Sequence, residues 1–149
     1  MSERKLQSLL APAVNDVLET MFFSENFGPS EHDSSIPDLE VHVAFLGATS
    51  GNVGVRISKP SARCLAASFL GVSEDSLSDT QTTQVVCELT NMLCGCVVSK
   101  LASQGCFALD SPRLSPSPSE QPKDIPDIEQ TFAIERGTLT VSLSMSPSA

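Results

Sequence analysis

Two stretches of strict alternation constrain this chain more than any other feature. EVHVAFL, residues 40 to 46, puts Val41, Val43 and Phe45 on one face, and NVGVRIS, residues 52 to 58, does the same with Val53, Val55 and Ile57. The glycine-rich GATSGN between them makes the two an antiparallel hairpin. A second hairpin closes the chain, where QTFAIERGTLTVSLSM sets Phe132 and Ile134 against Leu139, Val141 and Leu143 across a turn at Arg136-Gly137. Strands that are apolar on one face only must have that face covered, so the rest of the sequence has to supply a lid.

Helical periodicity supplies it. Residues 12 to 23 place Val14, Val17, Leu18, Met21 and Phe22 at helical spacing, and Pro12 fits a first turn or a kink after a short lead-in helix over residues 3 to 10. PSARCLAASFLG opens a short helix at Pro60 and closes it at Gly71. A long helix then begins near Ser78, where Ser78 and Gln81 have capping-box spacing, and runs to about Ser103 before stopping at Gly105. GCFAL, residues 105 to 109, reads as a short strand. The following DSPRLSPSPSEQPKDIPD, residues 110 to 127, holds five prolines, which exclude a central strand or helix and predict an extended connection.

The order is helix, two strands, helix, helix, strand, connection, two strands. It predicts an α+β two-layer sandwich, a mostly antiparallel sheet with long helices on one side, built as one domain over residues 1 to 149. Each half holds a long amphipathic helix followed by antiparallel strands, the pattern of a degenerate duplication. With no Trp or Tyr and seven Phe, the core is expected to be largely aliphatic.

Charge and cysteine content exclude several functions. A net charge of -9 argues against nucleic acid and anionic membrane surfaces, both of which attract basic patches. No stretch approaches the roughly 20 apolar residues of a membrane span, and MSERKLQSLL lacks the apolar core of a signal peptide, so a cytoplasmic location is expected. The five cysteines form no C-x-x-C pair, and all are expected to be small buried hydrophobes in a reducing compartment. With His32 and His42 far from any cysteine cluster, no metal site is expected.

The long helix has one further property. Gln84, Glu88, Asn91, Gly95 and Ser99 fall along one side of it, while Val85, Leu89, Met92, Leu93 and Cys96 lie roughly opposite. That polar stripe is not the usual mixture of Lys and Glu. Glu88 brings a negative charge, Asn91 an amide that both donates and accepts, and Gly95 a gap that lets another backbone approach. Glu and Asn three apart also occur on ordinary solvated helices, and a glycine can simply relieve crowding against a sheet.

VVCELTNMLCGCVVSKL resembles the E-x-x-N-M-x-x-G helix of the CheC/CheX family of chemotaxis phosphatases. VLETMFF, residues 17 to 23, is similar to that family's first helix, and GCFALDSPRL to the strand and proline-containing segment after the motif helix. The resemblance implies a pseudo-duplicated α/β sandwich that hydrolyses the phosphoryl-aspartate of a CheY-like response regulator. It makes Glu88 the carboxylate that contacts the regulator's active-site lysine, and Asn91 the catalytic amide that enters the regulator's site and positions water. Gln84 and Gly95 become partner-binding positions. No cofactor of the chain's own is implied, since Mg²⁺ resides on the regulator.

Two departures from the family pattern bear on this. Gln84 stands where the family often has Asp or Ser, and Glu19 on the first helix is followed three residues later by Phe22, not Asn. The second implies one active site per chain, as in CheX, and CheX-like members imply a homodimer through a continuous sheet. The alternatives are a module that sequesters a phosphorylated regulator without hydrolysis, and a structural protein of the motility apparatus.

Overall fold

The structure, a computed structural model, describes residues 3–22, 26–31, 38–47, 49–101, 107–115 and 126–145. Helix α1 spans Glu3–Met21, and strands β1 (Asp38–Leu46) and β2 (Gly51–Ser58) follow. Helix α2 covers Lys59–Leu70, a 3₁₀ turn Glu74–Ser76, and helix α3 Asp79–Leu101. Two-residue strands β3 (Ala108–Leu109) and β4 (Arg113–Leu114) precede the closing hairpin of β5 (Ile128–Ile134) and β6 (Gly137–Met145).

All pairings are antiparallel, in the order β3-β1-β2-β6-β5, with β4 also on β1. The three helices cover one face, so the expected α+β sandwich is the fold found. Its connectivity is symmetric about the β2–β6 ladder. Exchanging the two sides takes α1 into α3, β1 into β5 and β2 into β6, and accordingly α3 lies over β1 while α1 lies over β5. This is the arrangement that a duplicated helix–strand–strand unit produces.

The alternating residues meet the helices as expected. Val41, Val43, Phe45, Val55, Ile57, Leu139, Val141 and Leu143 are buried beneath Leu10, Leu18, Leu65, Leu89 and Leu93. The opposite face is polar. There His42 bonds Glu40 at 2.8 Å and Asn52 at 2.9 Å, and Arg56 donates to the same Glu40 carboxylate at 3.1 Å. The imidazole lies over Gly54, where any Cβ would come within 2.6 Å of it. His42 is therefore a bonded residue of the sheet.

Several boundaries differ from the sequence reading for physical reasons. Pro12 neither starts nor divides α1, which continues through it. Leu6 and Leu10 before it, and Ala13, Val14 and Val17 after it, are all buried in the same core, and that shared burial keeps both halves in one helix despite the lost hydrogen bond. The closing hairpin turns at Glu135-Arg136, with Arg136 taking the left-handed conformation (φ 68°). Gly137 instead sits in β6 opposite Ile134, where a Cβ would come within 2.3 Å of the Ser58 hydroxyl. Part of the proline-rich stretch forms β4, an edge strand made possible by its pairing with Val41 and His42. The predicted end of α3 at Ser103 and Gly105, the first residues of GCFAL, and His32 lie outside the described residues.

Candidate functional site

The position of α3 is fixed at its start. The Ser78 N–H donates to the Gln81 side-chain oxygen at 2.9 Å, and the Gln81 N–H donates to the Ser78 hydroxyl at 3.1 Å, a reciprocal capping box. From there Val85, Leu89, Leu93 and Val97 enter the core, and the two buried hydroxyls are satisfied within the helix, Thr82 donating to the Ser78 carbonyl at 3.1 Å and Thr90 to the Val86 carbonyl at 2.8 Å. Ion pairing of Lys100 with Asp16 on α1, at 3.7 Å, joins the far ends of the two long helices.

This burial turns the predicted stripe outward. Gln84, Glu88 and Ser99 are exposed, and Asn91 and Gly95 half-exposed; opposite them Met92 and Cys96 are only half-buried. Among the described residues, no hydrogen bond or ion pair engages the side chains of Glu88 or Asn91. The structure thus sets a carboxylate and an amide one turn apart, both available to a partner. The carboxylate can hold a cation, and the amide can donate to one oxygen while accepting from another.

Gly95 separates the structural and functional explanations of the stripe. At Gly51 a Cβ would sit 2.3 Å from the Ser144 carbonyl, and at Gly54 2.5 Å from the Ser142 hydroxyl; both glycines are needed by the fold. At Gly95 the nearest atom is the Leu109 Cδ1 at 4.0 Å. Crowding against the sheet therefore does not explain this glycine, which costs about 1 kcal/mol of helix propensity.

The matching place on α1 carries nothing equivalent. Glu19 is exposed, but Phe22 is fully buried, its ring stacked on Phe69 at 4.9 Å. Nor do the cysteines form a reactive centre. Cys94 alone is fully buried, and Cys64, Cys87 and Cys96 are half-buried, because they lie at the margins of α2 and α3 where the sequence pattern reads as apolar. Cys106 is outside the described residues. Burial pushes the Cys94 thiol up to about 11, and burial together with the Glu135 carboxylate does the same to Cys64. Cys87 is raised by burial first and by the neighbouring charge of Glu88 second. Such thiols stay protonated and are poor nucleophiles at neutral pH.

Comparison with known proteins gives the family and the fold. The family model for "Chemotaxis phosphatase CheX" matches residues 40–132, a span that includes Glu88 and Asn91. Comparison with curated proteins returned no match. Among solved structures, the chain resembles CheX from Desulfovibrio desulfuricans with a TM-score of 0.75 and 20% identity, over 95% of this chain and 99% of that one. CheX from Vibrio vulnificus gives 0.76 and 18%, over 98% and 99%. A Borrelia burgdorferi CheX, solved as a complex with CheY, BeF₃ and Mg²⁺, gives 0.70 and 18%, over 94% and 97%. The fold is that of these proteins, and the family model covers more than half of the sequence: the chain belongs to the CheX family of chemotaxis phosphatases.

Proposed function

We propose that this chain hydrolyses the phosphoryl-aspartate of a CheY-like response regulator. The observation that carries the proposal is the pairing of an exposed Glu88 and a half-exposed Asn91, without side-chain partners among the described residues, on a capped helix beside a glycine that packing among those residues does not require. The Borrelia burgdorferi CheX bound to CheY with BeF₃ and Mg²⁺ gives the kind of partner.

In this reading Glu88 pairs with the regulator's active-site lysine, and Asn91 enters the regulator's site and orients one water. The water oxygen bonds to phosphorus as the bond from phosphorus to the aspartate oxygen breaks. The aspartate leaves as carboxylate, and the water proton passes to the phosphate product. Mg²⁺ and lysine on the regulator neutralise the developing charge, so this chain need supply only position, which suffices for a large acceleration. Gln84 and Gly95 complete the contact, with Gly95 admitting the partner's backbone.

The decay of phosphoryl-aspartate on a CheY regulator, followed with and without this chain, tests the proposal. Faster decay is expected. Slower decay would mean a module that sequesters the regulator, and unchanged decay without binding would mean a structural protein.

The same reading implies a cytoplasmic location, and no helix among the described residues is long and apolar enough to cross a membrane. It also implies a homodimer through strand pairing. The β5 edge is already bonded by residues 27–30, through Phe27 and Gly28 to Ala133 and Ser30 to Thr131. The pairing edge would then be that of β3 and β4, which Pro112 interrupts. Light scattering at micromolar concentration is expected to give twice the chain's mass; a monomer mass would remove the dimer.

A further inference from the structure

The segment after α3 brings to the stripe a side chain that its own sequence pattern does not mark. Strand β3 is two residues long, yet it is held at several points. The Phe107 ring meets Phe45 edge-on with centroids 6.2 Å apart, and the Asp110 N–H donates to the Ala44 carbonyl at 2.9 Å. The Asp110 carboxylate accepts from the Ser111 N–H at 2.8 Å and pairs with Arg113 at 3.4 Å. Leu109 stands opposite the core residue Phe45 in the ladder, so its side chain projects to the helix side of the sheet. There it stays 37% exposed, and its Cδ1 is the nearest atom to the place a Gly95 side chain would occupy, at 4.0 Å. Whatever packs closely on Gly95 also touches Leu109.

We infer that Leu109 is a docking and specificity residue for the response regulator, the apolar contact that seats the partner's backbone on Gly95. This rests on the regulator-docking function proposed above. The division of labour follows from chemistry: Glu88 selects a cation, Asn91 orients water, and Leu109 selects an uncharged surface about one helical turn beyond Asn91. Because the backbone of its strand is already pinned, binding has only the leucine side chain to order, which keeps the ordering cost of the contact small.

The test is titration calorimetry with a CheY regulator charged with BeF₃ and Mg²⁺, together with dephosphorylation kinetics. Leu109→Ala is expected to raise Kd and KM about tenfold and leave kcat within about twofold, as truncation of an interface anchor does. Leu109→Met is expected to recover most of the affinity. Leu46, more exposed at 60% but on the other face of the sheet, is the control, and Leu46→Ala should leave Kd unchanged. Unaltered Kd in Leu109→Ala, with an active wild-type chain, would overturn this inference and leave the proposed function standing. An equal loss in Leu46→Ala, or a change in self-association of Leu109→Ala by light scattering, would also overturn it. Absence of binding by the wild-type chain would remove both readings.

Discussion

The two long helices occupy equivalent places in the sheet's symmetry, and each carries a glutamate followed by a different residue three positions on. On α3 the pair is Glu88 and Asn91, both turned outward. At the end of α1 it is Glu19 and, one residue past the helix, Phe22, with the ring fully buried against Phe69. The same framework thus leaves a carboxylate and an amide at the surface of one helix, and takes the residue three beyond Glu19 into the core beside the other. That residue contributes packing, through the stacked Phe22–Phe69 pair.

The difference can be broken from either side. Phe22→Asn copies the α3 pair onto α1; it should cost about 3–5 kcal/mol from lost packing, with more from the buried amide. Chemical denaturation would read this as a large drop in midpoint, and an unchanged midpoint would remove Phe22 from the core. Glu88→Gln acts on α3 alone. It is expected to weaken binding to a BeF₃-charged regulator by about 2–5 kcal/mol, as for a charge pair excluded from water, while thermal stability holds. Loss of stability in place of affinity would make Glu88 a structural residue.

Gly95→Ala sharpens the contrast, because its two effects have opposite signs. The added methyl meets only the Leu109 Cδ1 at 4.0 Å, an ordinary contact, so the fold should gain about 1 kcal/mol by denaturation even as regulator binding weakens. The smallest effect concerns pH. Burial raises the Cys94 thiol from 9.0 to about 11, so the folded chain keeps a proton that the unfolded chain releases. Its contribution to stability is fully present below pH 9.0 and is lost as pH rises toward about 11. Melting temperatures across that range should fall, and fall less steeply in Cys94→Ala.

Features set by local periodicity were legible in the sequence. The alternating hairpins, the capping box at Ser78 and Gln81, and the polar stripe on α3 all follow from neighbours within a few residues. Features set by distant partners were not. Continuation of α1 through Pro12 depends on a core shared by both of its halves, and β4 is a strand only because β1 lies beside it. The Glu88–Asn91 pair could be read from spacing, but its lack of partners among the described residues could not. The openness at Gly95 depends on where Leu109 lies, fourteen positions along the chain and on a different element.

Asn91→Ala tests most directly whether α3 performs the chemistry. The variant should melt with the wild-type chain and bind a BeF₃-charged CheY regulator with similar affinity, because no described contact depends on the amide. With the regulator saturated, phosphoryl-aspartate decay is expected to lose its acceleration by about a hundredfold or more, the scale that follows from losing a positioned reactant. An alanine variant that binds the regulator and hydrolyses at close to the wild-type rate would contradict the account.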